Sequence, residues 1–214
     1  MTLVSFLGGV DVARTPNEKQ RQNKTRIILE QARQVFCMKG FLDVTMQDII
    51  DACGISRGGI YLYYSSVDEI LQEVIKQRNK DKFSIISKAV QNNEPFASVL
   101  SDFVSLQKRR LLRIKGSLFR AYCEYIFSKP IDTVRSLRDE QLGHLRKSVY
   151  SILMLGVNQG IIRDEKISRL TDHIIVVIDG LSVLSLSDAL TQEVVDEQFD
   201  ILGEMIDHLK KEHI

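Results

Sequence analysis

Ser56 stands in Gly54-Ile55-Ser56-Arg57-Gly58, the G-x-S-x-G spacing that presents a nucleophilic serine for acyl transfer on a sharp strand-to-helix turn. That turn requires a buried strand before the serine and alternating strands and helices around it. The residues before Gly54 repeat at helical spacing instead, with Met46, Ile49, Ile50 and Cys53 on one face, and no β-branched run of strand length leads in. His144, His173, His208 and His213 are not at metal-ligand spacing with one another or with Cys37, Cys53 and Cys123, and no G-x-x-x-x-G-K-[ST] phosphate cradle occurs. The chain is therefore expected to be no enzyme, with no catalytic residue, no metal and no cofactor. A hydrolase using Ser56 is the alternative that an esterase assay on the protein and its Ser56→Ala variant would settle.

The same stretch supports a different chemistry. Thr45, followed three residues on by Asp48, has the form of a capping box opening one helix. Gly54 supplies the left-handed residue that stops it, and Ser56 is placed to cap the next. Helix, short turn, helix is the arrangement in which a second helix enters the major groove while the first crosses the backbone. Ile60 and Tyr64 then turn inward, leaving Arg57, Gly58, Tyr61 and Tyr63 for DNA. Gly58 and Gly59 each weaken a helix by up to about 1 kcal/mol, so their pairing implies a close backbone approach to a phosphate or a groove wall. Lys24, near the start of the first helix, is the best placed of the neighbouring cations for a phosphate, with Thr45, Met46, Ser56 and Ser66 completing the expected DNA-contacting set.

From Thr45 through Gly54-Ile55-Ser56-Arg57-Gly58-Gly59-Ile60-Tyr61-Leu62-Tyr63-Tyr64 to Asp68-Glu69-Ile70-Leu71, the chain resembles the N-terminal DNA-binding domain of TetR/AcrR-type transcriptional regulators. The likeness extends upstream through Ile28, Ala32, Phe36, Gly40 and Phe41 and covers roughly residues 21 to 81. It implies an all-α fold: a three-helix head with its helix-turn-helix at about 44–63, then a larger helical effector-binding and dimerisation domain over 82–214, about nine helices in all. The family usually carries a lysine at the start of the fourth helix that touches a phosphate. Here that position is Val67, with Ser65 and Ser66 as substitutes.

Charge placement agrees with a polyanion partner. The 214 residues carry a net charge of only +1, yet residues 14 to 66 hold eight basic against five acidic side chains. Three cysteines in apolar contexts, an odd number, argue against a disulfide framework and suit a reducing, cytoplasmic setting. Residues 1–20 are expected to form an arm, since their apolar run is too short for a span and lacks a basic start. No run of about 18 uncharged apolar residues occurs, so no membrane partner is expected.

Beyond the head, Leu118–Phe127 is apolar nearly all round and therefore central, with Arg120 and Glu124 one turn apart on it. Phe103, Gln107, Arg110, Phe119, Tyr122 and Tyr125 are the candidate lining of a pocket for a small-molecule effector of unknown identity. In the last two helices apolar residues repeat at alternating spacings of three and four. Ile174, Leu181, Leu184, Phe199, Leu202 and Ile206 are assigned to a homodimer interface, which the family resemblance implies is a four-helix bundle. The resulting expectation is a dimeric, ligand-released transcriptional repressor of a pseudo-palindromic double-stranded DNA operator. An activator, or a regulator that ignores effectors, is the alternative.

Overall fold

Helix boundaries are written locally by capping residues. A computed structural model describes residues 16–187 and 189–210 and contains nine α-helices there. They are α1 (Pro16–Lys39), α2 (Met46–Cys53), α3 (Arg57–Tyr61), α4 (Val67–Gln91), α5 (Phe96–Leu112), α6 (Leu118–Ser128), α7 (Ile131–Asn158), α8 (Ile167–Leu186) and α9 (Gln192–Asp207). Side-chain caps open five of them: Thr45, Ser56, Ser66, Ser117 and Thr191 each accept a hydrogen bond from a first-turn amide. Pro95 and Pro130 precede α5 and α7 without such a bond, their fixed φ already suiting a helix start.

The capping box of α2 is complete, with the Asp48 amide donating to Thr45 Oγ1 at 3.2 Å and the Thr45 amide to Asp48 Oδ2 at 2.9 Å. Gly54 ends α2 at φ 62°, in the left-handed region, and its N–H reaches the Ile50 and Asp51 carbonyls. A side chain there would be strained, so the turn into α3 depends on glycine.

The helices share two apolar cores. The first joins Ile28, Phe36, Ile49, Ile60 and Leu71 of α1 to α4 with Ala121, Tyr125 and Val134 of α6 and α7. The second joins Phe103 and Leu111 of α5 with Ile152 of α7, Ile178 of α8 and Phe199 of α9. Head and body are thus not separated by a clean boundary at residue 81, because α6 is a wall of the head's own core. Fully burying each large side chain contributes roughly 1.5–3 kcal/mol, so the α6–head contact is a substantial, apolar one.

Four sequence expectations change. The first helix begins at Pro16, which takes residues 16–20 out of the expected arm; the remainder of that arm, residues 1–15, lies outside the described residues. Leu42, an apolar residue beside Phe41 that the sequence alone would place in the head core, is exposed just after the Gly40 turn. Tyr125 belongs to the head core, edge-on to Phe41 at 4.9 Å, with its hydroxyl accepting from Gln72 at 2.7 Å. It is packed into the head core and is not among the residues lining the two cavities behind the head.

The dimer assignment is the fourth. Ile174, Leu181, Phe199, Leu202 and Ile206 are buried in the chain's own second core, and only Leu184, at 48% exposure, faces outward. Alternating spacing marks the most apolar seam of a helix, and here that seam is consumed by α5 and α7. A separate outer stripe remains, made of Val176, Val183 and Leu184 on α8 with Val194 and Ile201 on α9.

Candidate nucleic-acid interface and effector cavity

The head presents α3, the second helix of its helix-turn-helix, at the surface through local bonds. Ser56 Oγ accepts the Gly59 amide at 3.1 Å, which fixes the first turn of α3. A methyl group on Gly59 would crowd that hydroxyl at 3.1 Å, whereas one on Gly58 would meet nothing within 4 Å. Gly58 thus leaves bare backbone at the surface, and Gly59 makes room for the cap. Arg57 and Tyr61 are exposed together, the guanidinium carbon 5.9 Å from the ring centroid. Ile60 and Tyr64 are buried beneath them.

The remaining expected contacts divide by what already engages them. Lys24 is exposed on α1. Met46 and Tyr63 are partly buried against the first core. Thr45 and Ser66 spend their hydroxyls on capping, Ser66 accepting the Glu69 amide at 3.2 Å, and Ser65 donates to Glu69 Oε2 at 2.8 Å. Both serines are neutral, so neither replaces the charge that Val67 lacks, although the Ser66 hydroxyl keeps its O–H to donate. Leu62, 77% exposed directly after α3, was not singled out from sequence; the signal was that Ile60 and Tyr64 already fill the inward positions.

The nucleophile-elbow reading of Ser56 fails on geometry. A helix precedes Ser56, a helix follows it, and its hydroxyl is a cap. The thiols are free, and burial pushes Cys53 up and Cys123 up to about 12, which disfavours the reactive thiolate. Among the described residues no His, Cys, Asp and Glu group could hold a metal ion, and no helix is long and apolar enough to cross a membrane.

Behind the head, α4, α5, α6, α7 and α8 line a partly open cavity of about 410 Å³. Phe103, Gln107, Arg110 and Phe119 line it, and Tyr122 lines a recess of about 40 Å³ that shares Arg78, Asn79, Arg110 and Phe119 with it. Sequence reasoning missed Arg78 and Asn79 on α4, Gln141, His144 and Ser148 on α7, and Asp179 and Ser182 on α8. Ser148 and Ser182 carried a signal, as small polar residues on otherwise buried faces. Arg78 carried none, because a cation on a long helix reads as solvated.

One helix touches both sites. Phe119 and Tyr122 of α6 face the cavity and recess. Glu124, about half a turn on, reaches the head: Oε2 accepts the Phe41 amide at 2.5 Å and the Leu42 amide at 3.1 Å, while Arg120 Nε donates to Oε1 at 2.7 Å. Burial opposes ionisation of Glu124, but these three donors outweigh it and hold its carboxyl below the usual range. Lys129, at the end of α6, pairs with Asp68 at 2.7 Å and lies over the Phe41 and Tyr125 rings. Gly40, at φ 85°, lets the turn pass so close to the Glu124 carboxylate that an added methyl group would collide with it.

Comparison with known proteins gives the arrangement a context. Residues 28–74 match the family model described as bacterial regulatory proteins, tetR family. The chain is 29% identical over 144 residues to the uncharacterized HTH-type transcriptional regulator YfiR of Bacillus subtilis, covering 66% of this chain and 70% of that protein. A TetR transcription regulator from Haloarcula marismortui superposes with a TM-score of 0.69 at 16% identity, over 89% of this chain and all of that one. A TetR-family regulator from Cytophaga hutchinsonii does so with a TM-score of 0.70 at 16% identity, over 94% of this chain and all of that one.

Proposed function

Since the chain belongs to the TetR family of transcriptional regulators, we propose that it is a homodimeric repressor released from a pseudo-palindromic operator by a small molecule. The observation that carries the ligand response is the sharing of α6, whose Phe119 faces the cavity and whose Glu124 holds the head through two amides. A ligand that shifts α6 must move or lose those bonds, and so changes where the head sits. A tenfold loss of operator affinity requires about 1.4 kcal/mol of coupling, and DNA then weakens the ligand by the same factor.

Arg57, Tyr61 and the bare backbone at Gly58 form the groove-facing end of α3 in this reading, with Lys24 on a phosphate. Dimerisation uses the outer stripe of Val176, Val183, Leu184, Val194 and Ile201, an apolar face that two copies can bury against each other. Two heads then reach half-sites about 34–36 Å apart. Selection of duplexes from a random pool, followed by mass determination of the complex, tests the proposal. A symmetric consensus carrying two chains is expected, and enrichment of an asymmetric site bound by one chain would overturn it.

A further inference from the structure

The cavity walls are largely apolar, but at one end two arginines, Arg78 and Arg110, meet with a single carboxylate, Asp179, nearby. Phe103, Leu145 and Ile178 form part of the apolar wall, whereas Arg78, Asn79 and Arg110 meet where the recess joins the cavity. Arg110 is braced by neutral acceptors: Nε donates to Gln107 Oε1 at 3.0 Å and Nη2 to Ser182 Oγ at 2.7 Å, with the Phe119 ring centroid 5.7 Å away. These bonds fix the guanidinium and leave other N–H groups undirected.

Burial and the adjacent Arg78 charge lower Arg110 to about 10, with Asp179 offsetting them in part, so Arg110 remains a cation at neutral pH. Arg78 is lowered by burial, with the nearby Arg33 charge acting in the same direction. Asn79 is only 7% exposed, and its Nδ2 is a buried donor with no hydrogen-bond partner. Two half-buried cations side by side and an unsatisfied buried amide are costly unless something pairs with them.

We propose that this cavity binds an amphiphilic organic oxyanion, its head held by Arg78, Asn79 and Arg110 and its apolar body lying along Phe103, Leu145 and Ile178. The inference rests on the ligand-responsive reading above and names the class of ligand for that site. A planar guanidinium serves a carboxylate or a phosphate through paired N–H donors, and the Asn79 amide supplies a further donor that a cation could not use. A quaternary ammonium or a neutral amide leaves the same charges unmatched.

Four octyl compounds test it: octanoate, octyl phosphate, octanamide and octyltrimethylammonium, each titrated into the full chain by calorimetry below its micelle concentration. At least one oxyanion is expected to bind saturably and at least tenfold more tightly than the amide, with the ammonium weakest; the two oxyanion arms tell a carboxylate head from a phosphate head. In Arg110→Gln and in Arg78→Gln, the preference for oxyanion over amide should fall at least fivefold, while thermal melting verifies that each variant folds. Equal binding of amide and oxyanion, tighter binding of the ammonium, no saturable binding by any of the four, or a preference that survives in both folded variants would overturn the assignment. Operator affinity measured in the same mixtures separates the two readings: an oxyanion that binds through the arginines without altering DNA affinity keeps the ligand class and removes the ligand-response proposal.

Discussion

Glu124→Gln should uncouple the cavity from the head while leaving both folded. The wild-type carboxylate accepts the Phe41 and Leu42 amides at 2.5 and 3.1 Å and Arg120 Nε at 2.7 Å. Glutamine fits the same space but has one acceptor oxygen, so one oxygen position becomes an NH₂ that faces a donor. Hydrogen bonds to a charged group contribute about 1.5–3 kcal/mol each in net terms. A neutral oxygen in the Oε2 position keeps both backbone amides as weaker bonds and the Arg120 bond is lost, so the α6–head contact should weaken by about 1.5–3 kcal/mol. The apolar packing of Ala121 and Tyr125 into the head core persists, which keeps the fold. Because about 1.4 kcal/mol corresponds to a tenfold change in an equilibrium, the ratio of operator affinities without and with effector should shrink by about tenfold or more. Fluorescence-anisotropy titrations of a labelled operator, with and without a saturating octyl oxyanion, give that ratio directly, and thermal melting checks the fold. A folded Glu124→Gln protein with the parent's ratio would show that the effector acts on the head by some route other than these amides.

The same contact makes a pH prediction. Glu124 is held below the usual carboxyl range in the folded protein, so its stabilising contribution is complete above about pH 4.3, the unfolded value, and is lost as pH falls through the folded one; an acid melting series should show less loss below pH 4.3 in Glu124→Gln than in the parent. Asp48 behaves alike, since Lys39 and Thr45 lower it to about 2, and Asp48→Asn should blunt a further acid transition between about 4 and 2. Gly40→Ala should destabilise the fold by roughly 1–3 kcal/mol, because φ 85° suits glycine and the new methyl meets the Glu124 carboxylate; unchanged melting would contradict the close approach. Arg57→Ala should flatten preference between operator and scrambled duplex, by about 1–3 kcal/mol if the arginine bonds a guanine edge. Lys24→Ala should weaken both duplexes equally and reduce the salt slope by about one unit per head, so an unaltered operator-to-scrambled ratio in Arg57→Ala would move base reading to Tyr61, Leu62 or Tyr63. Val176→Glu with Ile201→Glu should lower the mass in light scattering without unfolding the chain, whereas Leu181→Glu should unfold it by burying a charge in the second core; a dimeric Val176→Glu/Ile201→Glu protein would remove the outer stripe as the interface.

The features legible in the sequence are those set by neighbours along the chain. Thr45 with Asp48, Gly54 at a left-handed turn, Ser56 before Arg57 and Pro130 before α7 fix helix ends through bonds or dihedral limits spanning a few residues. The helix-turn-helix, the resemblance it carries and the inward turn of Ile60 and Tyr64 could therefore be read directly. Gln107 and Arg110 stand out in the sequence as polar groups within apolar helices, and both line the cavity together with Phe103 and Phe119. Other outcomes needed the third dimension. Periodicity shows that a helix has an apolar face but not which neighbour covers it, so Ile174 and Phe199 pointed to a partner copy when α5 and α7 of the same chain already bury them. Tyr125 and Glu124 share α6 with Phe119, yet they turn toward Phe41, more than eighty positions earlier in the chain, and no local pattern encodes so distant a contact. Arg78 reads as a solvated cation on α4; only the convergence of α5, α6, α7 and α8 beside it makes the cavity that it lines.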